Sequence, residues 1–221
     1  MRAVHCDAPR RPAIQTHHQH LFKTDLRRLR PTQLTVGYAE VEQKRGVWSG
    51  MGKSERQKFL DNHWFPAVRG PKDNFYIVDH HHLGRALLDE GVNECYVVLL
   101  KDLGQLDKDE FWIVMDHHQW VHPYDSRGRR LSAAALPKAL GELADDPYRS
   151  LAGEVRHTGG FPKDATPFAE FLWADFFRRR ITLAQFQKDP DATLQLALTL
   201  CHSPQASHLP GWSGPVPPRA S

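Results

Sequence analysis

The run from residue 75 to residue 91 constrains the fold most, because four apolar or aromatic residues lead directly into Asp-His-His-His. Residues 75–78 are typical of a buried strand, and residues 81–90 of a helix that ends at Gly91. The junction therefore brings a carboxylate, three imidazoles and the unpaired N–H groups of a helix N-terminus together. Helix N-termini bind anions, and imidazoles with carboxylates bind transition metals. This turn is predicted to be a phosphate or metal site.

The first half of the chain contains further strand signals around this junction. Residues 96–100 (Tyr-Val-Val-Leu-Leu) have the length and composition of a buried strand, and residues 33–37 also resemble a strand. Residues 66–68 and 75–78 flank Gly-Pro-Lys-Asp-Asn, which predicts a hairpin. Residues 54–62 form a polar helix in this interpretation. A strand, a helix and a second strand in this order imply a mixed sheet with parallel pairing.

The second half of the chain carries helix signals instead. Each is a residue that can cap the start of a helix, and the set comprises Asp107, Asp146, Thr166, Thr182 and Asp189. No strand candidate follows Leu100. The sequence therefore predicts a second half made of helices alone.

Together these patterns predict an α+β fold, in which a small mixed β-sheet core over residues 29–104 is followed by an all-helical subdomain over residues 105–203. Residues 1–28 show no sustained periodicity and are predicted to be a flexible tail. Residues 204–221 are rich in proline, serine and glycine and are predicted to be a second tail.

Composition excludes several classes of protein. Lys and Arg outnumber Asp and Glu by 29 to 26, and a net charge of +3 does not by itself argue for nucleic-acid binding. Arginine clusters at residues 27–30, 127–130 and 178–180 are either solvated faces or nucleic-acid contacts. The apolar runs are too short to span a bilayer. Three widely spaced cysteines and no visible secretory segment lead us to expect a cytoplasmic protein.

Two Asp-His clusters are candidates for a metal site. One begins at Asp79, and the other is Asp116 with His117 and His118. Adjacent residues on a helix point about 100° apart, so the members of one cluster cannot all reach the same ion. The predicted ligands are drawn from both clusters and are Asp79, His81, Asp116 and His117.

The order of these segments resembles a known family. Leu-Arg-Pro-Thr-Gln at residues 29–33, the Pro-Ala-Val strand at 66–68 and Tyr-Ile-Val-Asp-His-His-His at 76–82 are similar to the ParB/sulfiredoxin superfamily, and in particular to its ParB-like nuclease branch. Residues 146–152 and 168–175 also resemble that branch. The likeness extends over about residues 28–182.

The resemblance implies that the turn after the strand holds nucleotide phosphate. The family's glycine falls at His80 and its next two positions at His81 and His82, and with Arg85 these are the predicted phosphate-binding residues. His81 replaces the sulfiredoxin cysteine, so reduction of sulfinic acid is not expected. The Arg-Arg pair of partition proteins is absent and no clear helix-turn-helix follows, which argues against centromere binding and a CTP clamp.

The resemblance also implies phosphoryl or phosphodiester chemistry, by a nuclease, a nucleotide hydrolase or a small-molecule kinase. Related free-serine kinases use a glutamate just after the first strand as base, and Glu40 and Glu42 lie in that region here. With His82 they are the predicted catalytic residues, although Glu40 and Glu42 can equally be solvated charges beside Lys44 and Arg45. The implied cofactors are a divalent metal ion and ATP or CTP, and the implied partner is a nucleotide or a nucleic acid.

Two other functions stay open at this point. A non-catalytic module of the same fold would bind nucleotides or DNA through its arginine clusters. A protein that has kept the fold without the chemistry would serve in structure or interaction, because a fold does not determine a function.

Overall fold

The computed structural model describes residues 21–215, and it confirms an α+β fold. The strands are β1 Leu21–Asp25, β2 Leu29–Pro31, β3 Thr35–Val36, β4 Phe65–Gly70, β5 Asn74–Ile77, β6 Glu94–Asp102 and β7 Ala144–Asp145. The helices are α1 Tyr38–Ser49, α2 Lys53–Asn62, α3 His81–Asp89, α4 Lys108–His117, α5 Pro147–His157, α6 Ala169–Arg178, α7 Leu183–Lys188 and α8 Pro190–Cys201. None of the helices in this part of the chain is both long and apolar enough to cross a membrane.

Five strands form one mixed sheet in the order β1-β6-β4-β5-β2. Strands β4 and β5 pair antiparallel, with Ala67 opposite Ile77, so the predicted hairpin is confirmed. Strand β6 pairs parallel with β4, and β2 pairs parallel with β5. The parallel pairs require crossover connections: α1 and α2 lie in the connection from β2 to β5, and α3 lies in the connection from β4 to β6.

The sheet separates two apolar layers, as the alternation of side chains along a strand dictates. Leu29 and Ile77 face the layer that contains Leu87 of α3. Tyr76, one residue before Ile77, faces the opposite layer and packs against Phe111 of α4. The strand β5 therefore holds α3 and α4 on opposite faces of the sheet.

The second half of the chain is mainly helical, as predicted. Helices α5, α6 and α8 enclose a separate core that includes Leu151, Trp173, Phe177 and Ala197. The prediction of no strand after Leu100 is wrong, because β7 pairs parallel with β3. A two-residue strand is too short for any periodic signal to appear in the sequence.

Both predicted tails need correction where the structure describes them. Residues 1–20 and 216–221 lie outside the described residues. Within the N-terminal segment β1 pairs antiparallel with β6, and Leu26 is fully buried. After residue 204, Leu209 is buried and the Trp173 indole N–H donates to the Pro210 carbonyl at 2.9 Å. The domain boundary between residues 104 and 105 stays a prediction. Strand β3 from the first half of the chain pairs with β7 from the second half.

Two helices also differ from the sequence interpretation. Helix α1 was not predicted, because only Val41 and Trp48 are buried and the rest of its surface is polar or exposed. Helix α6 begins at Ala169 rather than at Thr166, since Phe168 adopts a left-handed backbone conformation with φ of 59°. These errors matter here, because α1 carries Glu40 and the start of α6 lines the candidate site.

Candidate functional site

The turn between β5 and α3 has the geometry of an anion-binding helix N-terminus. His80 precedes the helix with φ of 64°, a left-handed conformation that glycine adopts more easily. The Asp79 carboxylate accepts the His80 N–H at 2.6 Å and so holds this turn. Within residues 21–215, the N–H groups of His81, His82 and Leu83 have no acceptor. These three donors and the helix dipole favour a negative group in front of α3.

The imidazoles of His81 and His82 point into the protein and tie α3 to the chain that enters α1. His81 Nε2 accepts the Thr32 N–H at 3.1 Å, and His82 Nε2 accepts the Gly37 N–H at 3.0 Å. An Nε2 atom that accepts a hydrogen bond carries no proton, so each ring is neutral with its proton on Nδ1. Burial lowers the pKa of His81 to about 3 and the pKa of His82 well below its ordinary value.

These contacts change the roles predicted for the two histidines. A neutral imidazole adds no positive charge for phosphate binding, and both Nε2 lone pairs are already used within the protein. His82 Nε2 also lies 3.5 Å from Glu40 Oε2, but an Nε2 atom without a proton donates no hydrogen bond to that carboxylate. The phosphate-binding capacity of the turn lies in its backbone N–H groups rather than in its imidazoles.

The two predicted catalytic carboxylates both belong to helix α1 but point to different sides of it. Glu40 lies in the first turn of α1, is half-buried, and lines the cleft in front of α3. Its Oε1 atom is 3.2 Å from Lys44 Nζ. Glu42 is exposed and pairs with Arg45 at 2.8 Å, and it does not line the cleft. Residues two apart point to different sides of a helix, so only Glu40 is placed for chemistry at this site.

Arg149 of α5 faces the same cleft and was not predicted from the sequence. Its side chain is buried, with 5% of the residue exposed, and its guanidinium lies 3.9 Å from the centre of the Phe171 ring. Nη1 is 3.4 Å from Glu170 Oε2, but among the described residues neither Nε nor Nη1 has a hydrogen-bond partner. Burial lowers the pKa of Arg149 from its ordinary value, which is so high that the group remains charged.

Close helix packing brings Arg149 and Glu40 to the same cleft. A Cβ atom added at Gly37 would lie 2.6 Å from the Ser150 backbone nitrogen, so the entry to α1 can approach α5 only without a side chain there. A Cβ atom added at Gly153, one turn further along α5, would lie 3.7 Å from Glu40 Oε2, which is an ordinary van der Waals contact. Helix α5 begins at Asp146, whose carboxylate caps it by accepting the Tyr148 N–H.

The cleft has a volume of about 600 Å³ and a mixed lining. Its charged residues are the cations Lys44, Arg149, Arg156 and Lys163 and the carboxylates Glu40, Asp79, Asp164 and Glu170. Phe161, Phe168 and Phe171 add aromatic surface. His122 stacks beside Phe171 with ring centres 3.9 Å apart, and burial lowers the pKa of His122 to about 3. The cleft is therefore polar, partly enclosed and close to charge balance.

The side chains of the other two predicted phosphate ligands, Arg85 and His80, contact other parts of the protein. Arg85 pairs with Asp89 and donates to the carbonyl groups of Gly141 and Leu143, and it does not line the cleft. The interpretation of Arg85 as a phosphate ligand is therefore corrected, because its guanidinium connects α3 to the segment before β7. His80 lines the cleft, but its Nδ1 atom lies 3.1 Å from the Trp64 carbonyl oxygen.

The four predicted metal ligands do not come together. Within residues 21–215, no group of three or more His, Cys, Asp or Glu side chains is placed to hold a metal ion. Asp116 pairs with Arg130 at 2.8 Å, and His117 is an exposed residue at the end of α4. His81 uses its Nε2 atom for the Thr32 N–H. The donor set therefore does not fit a protein-held metal.

A protein-family model described as "Putative ParB-like nuclease" matches residues 22–179, which is well over half of this sequence. The chain belongs to the ParB-like nuclease family. A crystal structure of protein Atu1540 from Agrobacterium tumefaciens is similar to this member, with 44% sequence identity and a TM-score of 0.82. The similarity covers 88% of this chain and 98% of that chain. A search among curated proteins found no match.

Family membership confirms the resemblance, which includes the segment that contains Arg149. The matched region extends to residue 179 and therefore includes α5 and α6. The two segments that resembled the ParB-like nuclease branch, residues 146–152 and 168–175, contain Arg149, Glu170 and Phe171. The match places these segments in the family and assigns no role to Arg149.

Three buried neutral histidines make the stability of this ParB-like protein depend on pH. His81 and His122 have a pKa of about 3 in the folded state, and His82 is lowered as well, against about 6.5 in an unfolded chain. The unfolded state therefore binds more protons below pH 6.5, so stability is complete above that pH and falls as the pH drops toward 3. Each histidine contributes about 1 kcal/mol per pH unit to this fall.

Urea unfolding at pH values from 7 to 5 measures this effect before most carboxylates titrate. We expect the free energy of unfolding to decrease steadily over that interval. Replacing His122 with glutamine should reduce the slope by about one third, because one of the three buried histidines is then absent. A free energy of unfolding that is constant from pH 7 to pH 5 would contradict the neutral, buried state of these rings.

Proposed function

We propose that this protein hydrolyses phosphate esters of nucleotides in the cleft between α1, α3 and α5. The observation that carries the proposal is the buried, hydrogen-bond-deficient guanidinium of Arg149 beside the N-terminus of α3. Burying a charged group without full hydrogen bonding costs stability, and such a cost is commonly found at functional sites. A negatively charged ligand in the cleft would offset the charge of this buried guanidinium.

Binding of the phosphate group would use donors from both sides. Arg149 lines the cleft, and its guanidinium places a fixed positive charge there for the phosphate oxygens. His81 and His82 line the cleft from α3, and their backbone N–H groups have no acceptor among the described residues. The Phe171 ring contacts the Arg149 guanidinium at 3.9 Å, so the cation is held in place before the substrate binds.

Glu40 is the residue best placed to activate water. It lines the cleft, and its ion pair with Lys44 restricts its orientation. In the proposed reaction Glu40 accepts a proton from water while the water oxygen forms a bond to phosphorus. The ester P–O bond breaks, the leaving oxygen takes a proton from solvent, and Arg149 stabilises the negative charge that develops on the phosphoryl oxygens.

The size and charge of the cleft favour a single nucleotide over duplex nucleic acid. A volume of about 600 Å³ lies within the range of small-molecule sites. Four carboxylates in the lining would repel a long polyanion, whereas four cations can neutralise one phosphate group. The substrate is therefore a free nucleotide or the exposed end of a single strand.

The arginine clusters give little support to the alternative of a DNA-binding module. Arg27 pairs with Asp25, Arg129 with Asp125 and Arg130 with Asp116. Arg178 pairs with both Asp146 and Asp175. Four of the nine arginines in these clusters are thus paired with carboxylates within the described residues.

A substrate panel tests the proposed function. Purified protein is incubated with nucleoside mono-, di- and triphosphates, a single-stranded oligonucleotide and a blunt duplex, each with Mg²⁺ and with EDTA. We expect turnover of free nucleotides or of the single strand and at least tenfold less of the duplex, because the cleft admits one nucleotide. No release of phosphate or nucleotide from any substrate, or preferential cleavage of the duplex, would contradict the proposal.

A further inference from the structure

A second cleft lies on the opposite side of strands β2 and β5 from α3. It is bordered by the start of β5, by α4 and by residues 133–138, and its volume is about 330 Å³. The cations that line it are Arg30, Lys72, Lys108 and Lys138. No carboxylate lines it, and it shares no residue with the first cleft. This basic cleft therefore has a strongly positive lining, whereas the first cleft is close to charge balance.

The four cations of the basic cleft have no ion-pair partner in the part of the chain that the structure describes. Carboxylates close to these cations in sequence do not line the cleft. Asp73 pairs with Arg69 at 2.6 Å, Asp107 and Glu110 cap the start of α4, and Glu142 accepts the Lys138 backbone N–H. An unbalanced set of cations around a depression attracts anions.

Two aromatic side chains lie among these cations. Tyr76 and Trp112 are both half-buried and meet edge to face with ring centres 5.3 Å apart. Phe111 is fully buried behind them and supports both rings. The guanidinium of Arg30 lies 6.0 Å from the centre of the Tyr76 ring. A supported aromatic surface between flexible lysines can receive a planar base while the lysines contact phosphates.

We propose that the basic cleft binds single-stranded nucleic acid, with its cations on the phosphate backbone and its aromatic rings against a base. Cations approach from two sides, Arg30 and Lys72 from the sheet and Lys108 and Lys138 from α4 and the following segment. In a duplex the bases are stacked inside, so the aromatic rings would have no base to contact. This inference does not depend on the proposed hydrolysis, because the two clefts use different residues.

Fluorescence anisotropy with a labelled oligothymidylate of about 20 nucleotides tests the basic cleft. The test variant is Lys108→Glu/Lys138→Glu, and the matched control is Lys58→Glu/Lys188→Glu, which changes net charge equally at exposed lysines elsewhere. At about 50 mM salt we expect the test variant to bind at least tenfold more weakly than wild type, and the control less than threefold. The plot of log K against log salt should lose about 1.4 in slope, since two phosphate contacts disappear.

Three further measurements decide the identity of the ligand. Single-stranded competitor should displace the probe at much lower concentration than duplex or inorganic phosphate. The loss of affinity caused by Lys108→Glu/Lys138→Glu should be the same in the wild type and in the Arg149→Met variant, which separates this inference from the proposed function. If both double variants lose affinity equally, the loss results from the change in net charge alone, and the proposal is wrong. Displacement of the probe by inorganic phosphate or by duplex as readily as by single strand would overturn it as well.

Discussion

Replacing Arg149 with methionine is expected to reduce nucleotide hydrolysis by about three orders of magnitude, while the folded protein becomes no less stable. Methionine has a similar length and can pack against Phe171, but it offers neither charge nor hydrogen-bond donors. The phosphoryl group would then lose its principal cation in a cleft where the histidines are neutral. Initial rates at saturating and at low substrate, together with the melting temperature, measure both parts of this result.

The stability part of the prediction follows from the contacts of Arg149. Its Nε and Nη1 atoms lack hydrogen-bond partners among the described residues, and Glu170 has a closer partner in Arg156 at 2.7 Å. Removing a poorly paired buried charge is often neutral or stabilising. An unchanged or higher melting temperature with a large loss of rate would mean that the arginine is retained for function.

Two controls accompany this variant. Arg149→Lys keeps the charge without the planar fork, so an intermediate rate is expected. Arg127→Met removes an exposed arginine outside the cleft and should change neither rate nor stability. If Arg149→Met hydrolyses nucleotides at the wild-type rate, or loses its activity only because it unfolds, Arg149 has no part in binding or catalysis.

The sequence located one side of the candidate site because its signal there is local. The strand β5, the turn and the start of α3 follow one another without interruption, and the change from strand to helix is visible in the residue pattern. The hairpin of β4 and β5 could be predicted for the same reason. The antiparallel pairing needs only a short Gly-Pro turn between two apolar segments.

The other side of the site depends on contacts between distant segments, which no local pattern records. Arg149 follows a helix-capping aspartate and is indistinguishable in sequence from an exposed helical arginine. Its burial results from α5 packing on α1 through Gly37. The inward orientation of His81 and His82 depends on hydrogen bonds from the backbone N–H groups of Thr32 and Gly37, which lie more than forty residues away in the sequence. Sequence reasoning therefore found the residues of the turn but not the direction of their rings.

The structure also brings residues that are far apart in the sequence, including Glu40, His82 and Arg149, to the lining of one cleft. Neutral histidines anchor the start of α3 without adding charge, so the positive charge available to a phosphate in the first cleft comes from its lysines and arginines and from the helix dipole. Glu40, which pairs with Lys44, is the predicted catalytic carboxylate that lines this cleft. Arg149 and Glu40 should accordingly act on different steps, the first on binding and charge, the second on proton transfer.

Replacing Glu40 with glutamine is expected to lower kcat for nucleotide hydrolysis by about 10²- to 10⁴-fold, the usual contribution of a general base. Glutamine keeps the shape of the side chain but cannot accept a proton from water. KM should stay similar or fall, because removing a carboxylate from the cleft weakens repulsion of the substrate phosphate. Stability should change little, since the ion pair with Lys44 is partly exposed.

Glu42→Gln is the matched control for this variant, because it removes a carboxylate from the same helix outside the cleft. Its kcat and KM should both equal those of the wild type. A shift in kcat alone for Glu40→Gln would place the residue in the chemical step, whereas a shift in KM alone would make it a binding group. Equal losses of kcat in the two glutamine variants would show that α1 contributes only general charge, and Glu40 would then not be the base.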